Sequence, residues 1–540
     1  MSASADVIVV GSGASGVHAA YPLVEGGRSV IMLDVGYEDK VYESLIPDAP
    51  FSEIRRTDAG QHRHLLGDRF EGVPLGPIGA RPELTPSRQY VVDGAETLLP
   101  IVGDDFVGVN SLAVGGLAAA WGAVCFPYTE SELVKCSLPP REMRQHYEIV
   151  ARRIGVSGDS SDDLKPLRGE LDALQPALEL DGNAEMILKR YERKRDVFHK
   201  DRVYVGSSVL AVLTRAVDGR RPTSYHDMDY WTNKGESVYR PASTLRELRQ
   251  RSNFSYCRPY LVERFAEDRE GSVEVHATVV GGGRQEVFRS RKLILAAGAM
   301  NTARIVLRSL NQYDVRVPFT SNPTTYISCV HYAHFGKPPK DRCHSLAQLT
   351  MIHDPTGDRE SLVQGQFYSY RSMLLFRLLR GLPLPQRESL RIMRAIAPHL
   401  VVIVLQHAAY PSPDNYCALR KAPDRQSDFL EIGYRLSRET QVCQGQREEI
   451  ILRSLRRLRC WPVKVIHTRQ GTGAHYAGQF PISHADKPLT TEPSGRLRGA
   501  SAVYIADGAM LSYLPAKGLT FTLMANANRI GSRVLAGFSA

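Results

Sequence analysis

The sequence predicts an α/β fold, α+β overall, because two different strand patterns occur along one chain of 540 residues. Near the N-terminus, the apolar runs 7–10 and 30–33 are joined by a glycine-rich turn and a helix-compatible segment, as in parallel strands linked by a crossover helix. Between residues 311 and 465, strand-like segments instead alternate apolar and polar residues, which is typical of an antiparallel sheet with one buried face. We therefore expect a Rossmann-like domain and a second domain built on a mostly antiparallel sheet.

The first apolar run leads into the pattern G-x-G-x-x-G, formed by Gly11, Gly13 and Gly16. Gly11 allows a tight turn, Gly13 allows a pyrophosphate to approach the backbone, and Gly16 allows the next helix to pack closely on the strand. The N-terminus of that helix offers free N–H groups to the phosphates. Asp34 closes the second run, where a carboxylate can bind a ribose. The pattern favours a dinucleotide site over an ordinary βαβ unit, and it does not by itself distinguish FAD from NAD.

Three later segments extend this domain. The segment 107–127 has little side-chain bulk around Gly115 and Gly116, so its backbone can lie against a flat ligand or make a tight helix contact. The run KLILAAGAMN at 292–301 is typical of a buried parallel strand, and a strand at 503–506 precedes a long final helix. We therefore predict a discontinuous dinucleotide-binding domain of residues 1–35, 97–165, 200–310 and 466–540. Residues 311–465 then form the substrate-binding domain, and 36–96 and 166–199 form surface or lid segments.

Composition narrows the class of protein. The eight cysteines form no C-x-x-C pattern and no zinc spacing with histidine, so we expect mostly reduced thiols and no metal site. The first residues lack the basic region of a signal peptide, and no apolar run reaches the ~18 residues of a transmembrane helix. These features predict a cytoplasmic protein.

The formal net charge is +10, and arginine is dense in the segment 372–400. Leucines recur there at helical spacing, so a solvated helix face explains the charge. The alternative is peripheral contact with a membrane surface or an acidic partner. No nucleic-acid recognition motif accompanies the charge, and we expect no nucleic-acid partner.

Taken in chain order, these pieces resemble the glucose–methanol–choline (GMC) oxidoreductases, a family of flavoenzymes. The resemblance rests on the N-terminal glycine pattern, VGG followed by Trp121, the run LILAAGAMNTARIVL, the histidine of HYAG, and VYIADGAM before a long helix. It looks closest to the bacterial sugar-oxidising and pyranose oxidase branch. Pyranose oxidases attach FAD through a histidine just before the tryptophan; Ala120 stands there in this chain, so the resemblance implies non-covalent FAD. The cofactor-binding residues that it implies are Gly11, Gly13, Ser15, Gly16, Asp34, Gly115, Gly116, Val262, Ala297, Asp507, Gly508 and Thr520.

The resemblance also implies a catalytic base, His475, which would remove a hydroxyl proton while hydride passes to flavin N5. A histidine that only hydrogen-bonds within the site is the alternative. The family usually has an Asn or His just before the last helix, at the position of Gly518 here. Positioning of the hydroxyl would then fall to Lys517 or Tyr513; Lys517 could also point to solvent, and if buried it would be an active-site cation. His407, at the end of a strand-like run, could project toward the flavin or be structural.

Three functions are compatible with these observations. The first is FAD-dependent oxidation of a hydroxyl group of a sugar, glycoside or other polyol-like substrate, with electrons passed to oxygen or another acceptor. The second is atypical flavin chemistry, such as a lyase, decarboxylase or natural-product tailoring reaction, on a lipid-like or carrier-bound substrate; the missing Asn favours it. The third is a non-catalytic flavin-binding scaffold.

Overall fold

The structure is a computed structural model that describes residues 4–73, 84–268, 271–335, 340, 342–369, 383–422 and 428–538. The first part of the basic segment, 372–382, therefore lies outside the described residues. In chain order the strands are β1 (Ser4–Val10), β2 (Val30–Leu33), β3 (Ile101–Val102), β4 (Val156–Ser157), β5 (Leu174–Gln175), β6 (Val203–Ser207), β7 (Phe254–Cys257), β8 (Tyr260–Glu267), β9 (Val273–Val279), β10 (Gln285–Leu295), β11 (Val317–Pro318), β12 (Thr320–Ser321), β13 (Thr324–His331), β14 (Leu349–His353), β15 (Val363–Ser369), β16 (Leu400–His407), β17 (Tyr416–Arg420), β18 (Phe429–Gly433), β19 (Cys460–His467), β20 (Tyr476–Ala477) and β21 (Val503–Ile505).

The helices cover the faces and edges of these strands. They are α1 (Ala14–Glu25), α2 (Tyr42–Leu45), α3 (Phe51–Thr57), α4 (His62–Leu66), α5 (Ala95–Leu98), α6 (Glu130–Lys135), α7 (Pro140–Ile154), α8 (Gly182–Glu192), α9 (Arg195–Lys200), α10 (Pro241–Leu248), α11 (Ala299–Ser309), α12 (Gln386–Ile396), α13 (Arg438–Arg457) and α14 (Thr520–Ala536). Within the described ranges, no helix is both long and apolar enough to cross a membrane. All eight cysteines are free thiols, as expected from their spacing.

The first sheet has the order β7-β2-β1-β10-β9-β8, and β21 pairs with the end of β10. Strands β7, β2, β1, β10 and β21 are parallel, whereas β9 and β8 continue the sheet antiparallel beside the first half of β10. The last four residues of β1, all apolar, are buried because this strand has parallel neighbours on both sides and α1 packs against it. Helices α1 and α14 pack together beside it. The mixed α/β architecture predicted from the sequence is confirmed.

The second sheet is antiparallel, in the order β19-β13-β16-β15-β14-β6. Its two faces differ. On one face, Val363, Phe367 and Leu405 pack with apolar residues of α8 and α13; we call this the helix-covered face. On the other, which we call the inner face, Ile352 and Tyr368 pack against the cluster of the first domain. Alternation along β14, β15 and β16 therefore decides which side chains look toward the first domain.

Two predicted boundaries differ from the structure. Strand β6 falls in the segment 200–310 that we assigned to the dinucleotide-binding domain, yet it is the edge strand of the second sheet and pairs with β14. Helix α8 falls in the predicted surface segment 166–199, yet Ile187 and Tyr191 are buried against that sheet. Both differences have one cause: these elements bury their apolar residues on strands that lie about 150 or more positions away in the chain, as the pairing of Val205 with Met351 shows, and local patterns do not encode such pairing.

Candidate functional site

A long cavity lies at the carboxyl end of the parallel strands, where ligands bind in open α/β sheets. It encloses about 1220 Å³ of empty space, part of which is open to solvent. Eleven of the twelve predicted cofactor-binding residues line it: Gly11, Gly13, Ser15, Asp34, Gly115, Gly116, Val262, Ala297, Asp507, Gly508 and Thr520. The sequence thus identified one continuous wall from five separate parts of the chain.

The first glycine turn has the geometry that its pattern predicts. Gly11 has φ +95°, a conformation that other residues rarely adopt. A Cβ atom on Gly16 would lie 1.8 Å from the carbonyl oxygen of Gly11, so only glycine permits this contact between α1 and the turn. Gly16 therefore acts from behind the cavity and does not line it. A Cβ on Gly13 would meet nothing closer than 3.9 Å, and Gly13 is followed by the uncapped N-terminus of α1.

The second glycine segment lies directly opposite the first. Gly115 and Gly116 both have positive φ values, +86° and +57°, and a Cβ on Gly116 would lie 3.4 Å from the Cα of Gly13. Ser12 joins the two turns, because its hydroxyl accepts a hydrogen bond of 3.1 Å from the amide of Gly115. Two bare backbone segments thus meet at the wall of the cavity, where they leave room for close approach of a flat or phosphate-bearing ligand.

Asp34 lies at one end of the cavity and is held in place by two hydroxyl groups. Ser12 donates a hydrogen bond to its carboxylate, and the Tyr256 hydroxyl donates another over 3.0 Å. Burial raises the pKa of Asp34 to about 6, although these hydrogen bonds offset part of the effect. Neither Ser12 nor Tyr256 was singled out from the sequence. Ser12 sits between the two glycines of the motif, which is a local signal; Tyr256 reaches Asp34 only through the pairing of β2 with β7.

Asp507 ties three structural elements together beneath the cavity. Its carboxylate accepts hydrogen bonds from the backbone of Gly298 at 2.9 Å, the hydroxyl of Thr302 at 2.6 Å and the backbone of Ala509 at 3.0 Å. Burial raises the pKa of Asp507 to about 6. The carboxylate therefore positions the start of α11 and the turn after β21, and both of these segments line the cavity.

His475 lies between two residues that line the cavity, Ala474 and Tyr476. Its Nδ1 atom is 3.2 Å from Oδ1 of Asn322 and 3.5 Å from Nε2 of Gln406. Nε2 of His475 has no hydrogen-bond partner among the described residues. The predicted base is therefore beside the cavity and has one ring nitrogen available.

Asn322 determines the protonation of that ring. Its Nδ2 atom donates to the carbonyl oxygens of His407 at 2.8 Å and Pro515 at 3.0 Å, which fixes its amide with the oxygen toward His475. An amide oxygen only accepts, so the shorter contact, with Asn322, puts the proton on Nδ1 of His475 and makes Nε2 the basic nitrogen; the amide nitrogen of Gln406, 3.5 Å away, then makes no hydrogen bond to Nδ1. Burial lowers the pKa of His475 to about 4, so the ring is neutral near pH 7. Asn322, between β12 and β13, and Gln406, on β16, were missed in the sequence because both come from the segment 311–465, which we assigned to the other domain.

Lys517 is buried, but it is not at the cavity wall. Its ammonium is 2.6 Å from Oε2 of Glu132, and both side chains are fully inaccessible to solvent. Glu132 also closes the capping box that starts α6, accepting hydrogen bonds from Thr129. The geometry does not support the prediction of Lys517 as a catalytic cation, because the charge of its ammonium is neutralised inside the protein. Tyr513 is likewise engaged, since its hydroxyl donates to the carbonyl oxygen of Glu360.

His407 points away from the cavity, contrary to one expectation. It lies on the helix-covered face, where its Nε2 is 3.3 Å from Oε1 of Glu448 in α13. The same carboxylate accepts hydrogen bonds from Thr325 at 2.7 Å and His467 at 2.8 Å. Although burial raises the pKa of Glu448, these hydrogen bonds outweigh it and hold the pKa at about 2. The cluster joins α13 to the second sheet, and it holds no metal-ligand grouping within the described residues.

Comparison with known proteins identifies the fold. No protein-family model and no curated protein matches this sequence. Two solved structures of formate oxidase align with 100% of this chain and 99% of their own, with TM-scores of 0.60 and 11% sequence identity. One of them, from Aspergillus oryzae RIB40, addresses the effect of an arginine-to-lysine mutation on FAD modification. Formate oxidase is a GMC oxidoreductase.

The chain has the GMC oxidoreductase fold. At 11% sequence identity the alignment shows only that the folds are alike. The chemistry of this GMC-fold protein therefore has to be argued from its own residues.

Proposed function

We propose that this chain is an FAD-dependent oxidoreductase that oxidises a hydroxyl group, with His475 as the general base. The observation that carries the proposal is the tautomer set by Asn322, which leaves Nε2 of a neutral, half-buried His475 unprotonated, next in the chain to two residues that line the cavity. General-base catalysis needs such a nitrogen within reach of the substrate proton.

The residues that line the cavity are chemically suited to binding FAD. The bare turns at Gly13 and Gly115 and the N-terminus of α1 suit a pyrophosphate, and Asp34 suits a ribose. The backbone near Val262 would contact the adenine, and the N-terminus of α14, at Thr520, would face the ring system. When bound, the flavin supplies a hydride acceptor. Ala120 offers no nucleophile for attachment, so we propose non-covalent FAD.

The proposed substrate is a neutral, polyol-like molecule of the kind used by the sugar-oxidising branch, although the aligned structures are named for their action on formate. Formate is an anion and would need a cation. Burial alone lowers the pKa of His475, and the nearby sequence candidate, Lys517, is neutralised by Glu132. The chain's own part in the reaction is to orient the hydroxyl, accept its proton at Nε2 of His475 and exclude water. Oxygen or another acceptor then takes the electrons.

We also propose a surface contact and a cellular location. The exposed side chains of Leu390 and Ile392 on α12 lie among arginines, which keeps peripheral contact with an anionic membrane or acidic partner as a proposal. The eight free cysteines favour a reducing compartment, which supports a cytoplasmic location.

The test is anaerobic flavin reduction. The purified protein should carry a flavin absorption band, acid precipitation should release that flavin, and a polyol should bleach the band. His475→Asn should retain the flavin but slow its reduction by about 10²- to 10⁴-fold, because the proton acceptor is lost. His484→Asn, an exposed histidine nine positions away, is the matched control and should behave as the native protein. Turnover with a flavin that stays oxidised throughout would replace this proposal with the atypical chemistry favoured by the missing Asn at 518.

A further inference from the structure

The inner face of the second sheet carries glutamines where a packing surface would carry apolar residues. Gln364 and Gln366 lie on β15 and Gln406 on β16, and all three are buried. Alternation places them on the side opposite Val363, Phe367 and Leu405, which pack under the helices. The glutamines therefore face the first domain, on the side where His475 lies.

Two of these glutamines form a pair beside His475. Gln364 and Gln406 are directly opposite one another in the antiparallel register of β15 and β16, so their side chains are neighbours on one face. One end of the Gln406 amide is 3.5 Å from Nδ1 of His475. The pair thus extends the site from the catalytic base across two strands.

The amides of this pair lack partners among the described residues. Gln364 is 1% exposed, and neither its Nε2 nor its Oε1 makes a hydrogen bond. Gln406 is 8% exposed, and its Oε1 is likewise without a partner. Gln366 differs, because its Oε1 accepts a hydrogen bond from Tyr368. Buried polar atoms are nearly always hydrogen-bonded in native proteins, and an adjacent pair left open needs an explanation.

We propose that Gln364 and Gln406 form a substrate subsite that binds the non-reacting hydroxyl groups of a neutral polyol while His475 acts on the reacting one. This inference rests on the proposed function and names the residues that select its substrate. An amide offers both donors and acceptors, as a hydroxyl group does, so the two pair in either sense. An alkyl chain would leave the amides unpaired, and a carboxylate could pair only with their donors. The subsite therefore selects against lipid-like and anionic substrates.

The experiment titrates the flavin-loaded protein anaerobically with D-sorbitol, D-glucose, 1-decanol and formate, and it records two quantities. The equilibrium dissociation constant comes from the perturbation of the oxidised flavin spectrum, and the rate constant comes from its bleaching. D-sorbitol or D-glucose should bind and bleach. Gln364→Leu, nearly equal in volume, should raise the dissociation constant about tenfold for the loss of hydrogen bonds, with a smaller change in the rate constant.

Gln444→Leu is the matched control. Gln444 lies on α13, is 9% exposed and also has an unpartnered Nε2, but it belongs to the helix that packs on the opposite face of the sheet. Its substitution should leave both constants unchanged. Thermal unfolding of the flavin-loaded protein without substrate separates the roles: Gln364→Leu should be at least as stable as the native chain, whereas a structural amide would lose stability on substitution.

The outcomes distinguish this subsite from the proposed function. Preferential bleaching by 1-decanol or formate overturns the subsite and leaves the oxidoreductase intact, as does an unchanged dissociation constant in Gln364→Leu. Polyol binding that weakens in Gln364→Leu without any bleaching supports the subsite and overturns hydroxyl oxidation. Absence of both polyol binding and bleaching overturns both.

Discussion

At the scale of single residues, Asn322 decides which nitrogen of His475 can act. Its amide cannot turn over without losing hydrogen bonds to the carbonyl oxygens of His407 and Pro515. In the proposed reaction, the base is thereby prepared before any substrate arrives, which is the usual value of a pre-positioned hydrogen bond in catalysis. In the family pattern an Asn would stand at the position of Gly518. Here Asn322, from a different part of the chain, supplies a side-chain amide to the site.

The first prediction concerns the pH dependence of this base. Burial lowers the pKa of His475 from 6.5 to about 4, and the ring must be neutral to accept a proton. The rate constant of flavin reduction should therefore hold constant from pH 7 to 5 and fall only as the pH approaches about 4. Stopped-flow reduction in overlapping buffers measures this profile.

A variant tests whether Asn322 acts through the ring. Asn322→Asp would place a carboxylate beside Nδ1, and a nearby negative charge raises the pKa of histidine. The acid limb of the profile, which is the pH range where the rate constant of flavin reduction falls, should then move upward by about one pH unit. An acid limb near 6.5 in the native protein, or one that does not move in Asn322→Asp, contradicts this account. A purely structural asparagine would change the rate without moving the limb.

At the scale of elements, the shape of the cavity depends on how closely two helices meet. Gly531 of α14 lies on α1, and a Cβ at this position would be 2.2 Å from the carbonyl oxygen of Ala19 and 2.8 Å from the ring of Pro22. The N-termini of both helices open onto the cavity. Their separation therefore sets the positions of both N-termini at the cavity together.

The second prediction follows from that contact. Gly531→Ala should destabilise the protein by about 1–3 kcal/mol, because the added methyl group forces the helices apart. Gly445→Ala is the control, since Gly445 lies in α13 with nothing within 4 Å of an added Cβ; it should be neutral or stabilising by up to about 1 kcal/mol. Urea unfolding measures both, and flavin retention should fall only in Gly531→Ala. Equal stability of the two variants would show that α14 can move without cost.

At the scale of the whole molecule, a buried ion pair joins two segments that are far apart in the chain. Lys517, just before α14, pairs with Glu132 at the start of α6, 385 positions away in sequence. Burial lowers the pKa of Lys517, and Glu132 offsets part of that effect. Such a pair adds little net stability compared with apolar residues, but breaking it leaves an uncompensated charge in the interior.

The third prediction is therefore asymmetric. Glu132→Gln should destabilise the protein by about 3–5 kcal/mol, and the double variant with Lys517→Met should recover most of that loss because no charge remains buried. Glu170→Gln is the control: its partner Arg144 is exposed, and exposed pairs contribute about 0–1 kcal/mol. Denaturant unfolding of the native protein, Glu132→Gln, the double variant and Glu170→Gln measures these changes in stability. A Glu132→Gln protein as stable as Glu170→Gln would mean that water reaches Lys517.

Local sequence patterns by themselves determined the first glycine turn and the strand pattern of the second sheet. The turn at Gly11, its contact with Gly16 and the position of Asp34 follow from interactions within 29 residues, from Asp6 to Asp34, and short-range geometry is what a motif encodes. The alternation that predicted the second sheet depends only on the twofold period of a strand. Eleven of the residues that line the cavity were therefore named from the sequence, and most of the others lie close to them in the chain.

The tertiary structure alone decided which side chains meet across that cavity. His475 reaches Asn322 over 153 positions, and Gln364 stands beside Gln406 only through the register of two strands. Strand alternation turns His407 to the helix-covered face, which gives it the structural role that was one of its two predicted alternatives, and long-range pairing puts β6 in the second sheet, against expectation. Periodicity says that neighbouring side chains point to opposite faces; it does not say which face is which, because that depends on what the other domain and the helices bury.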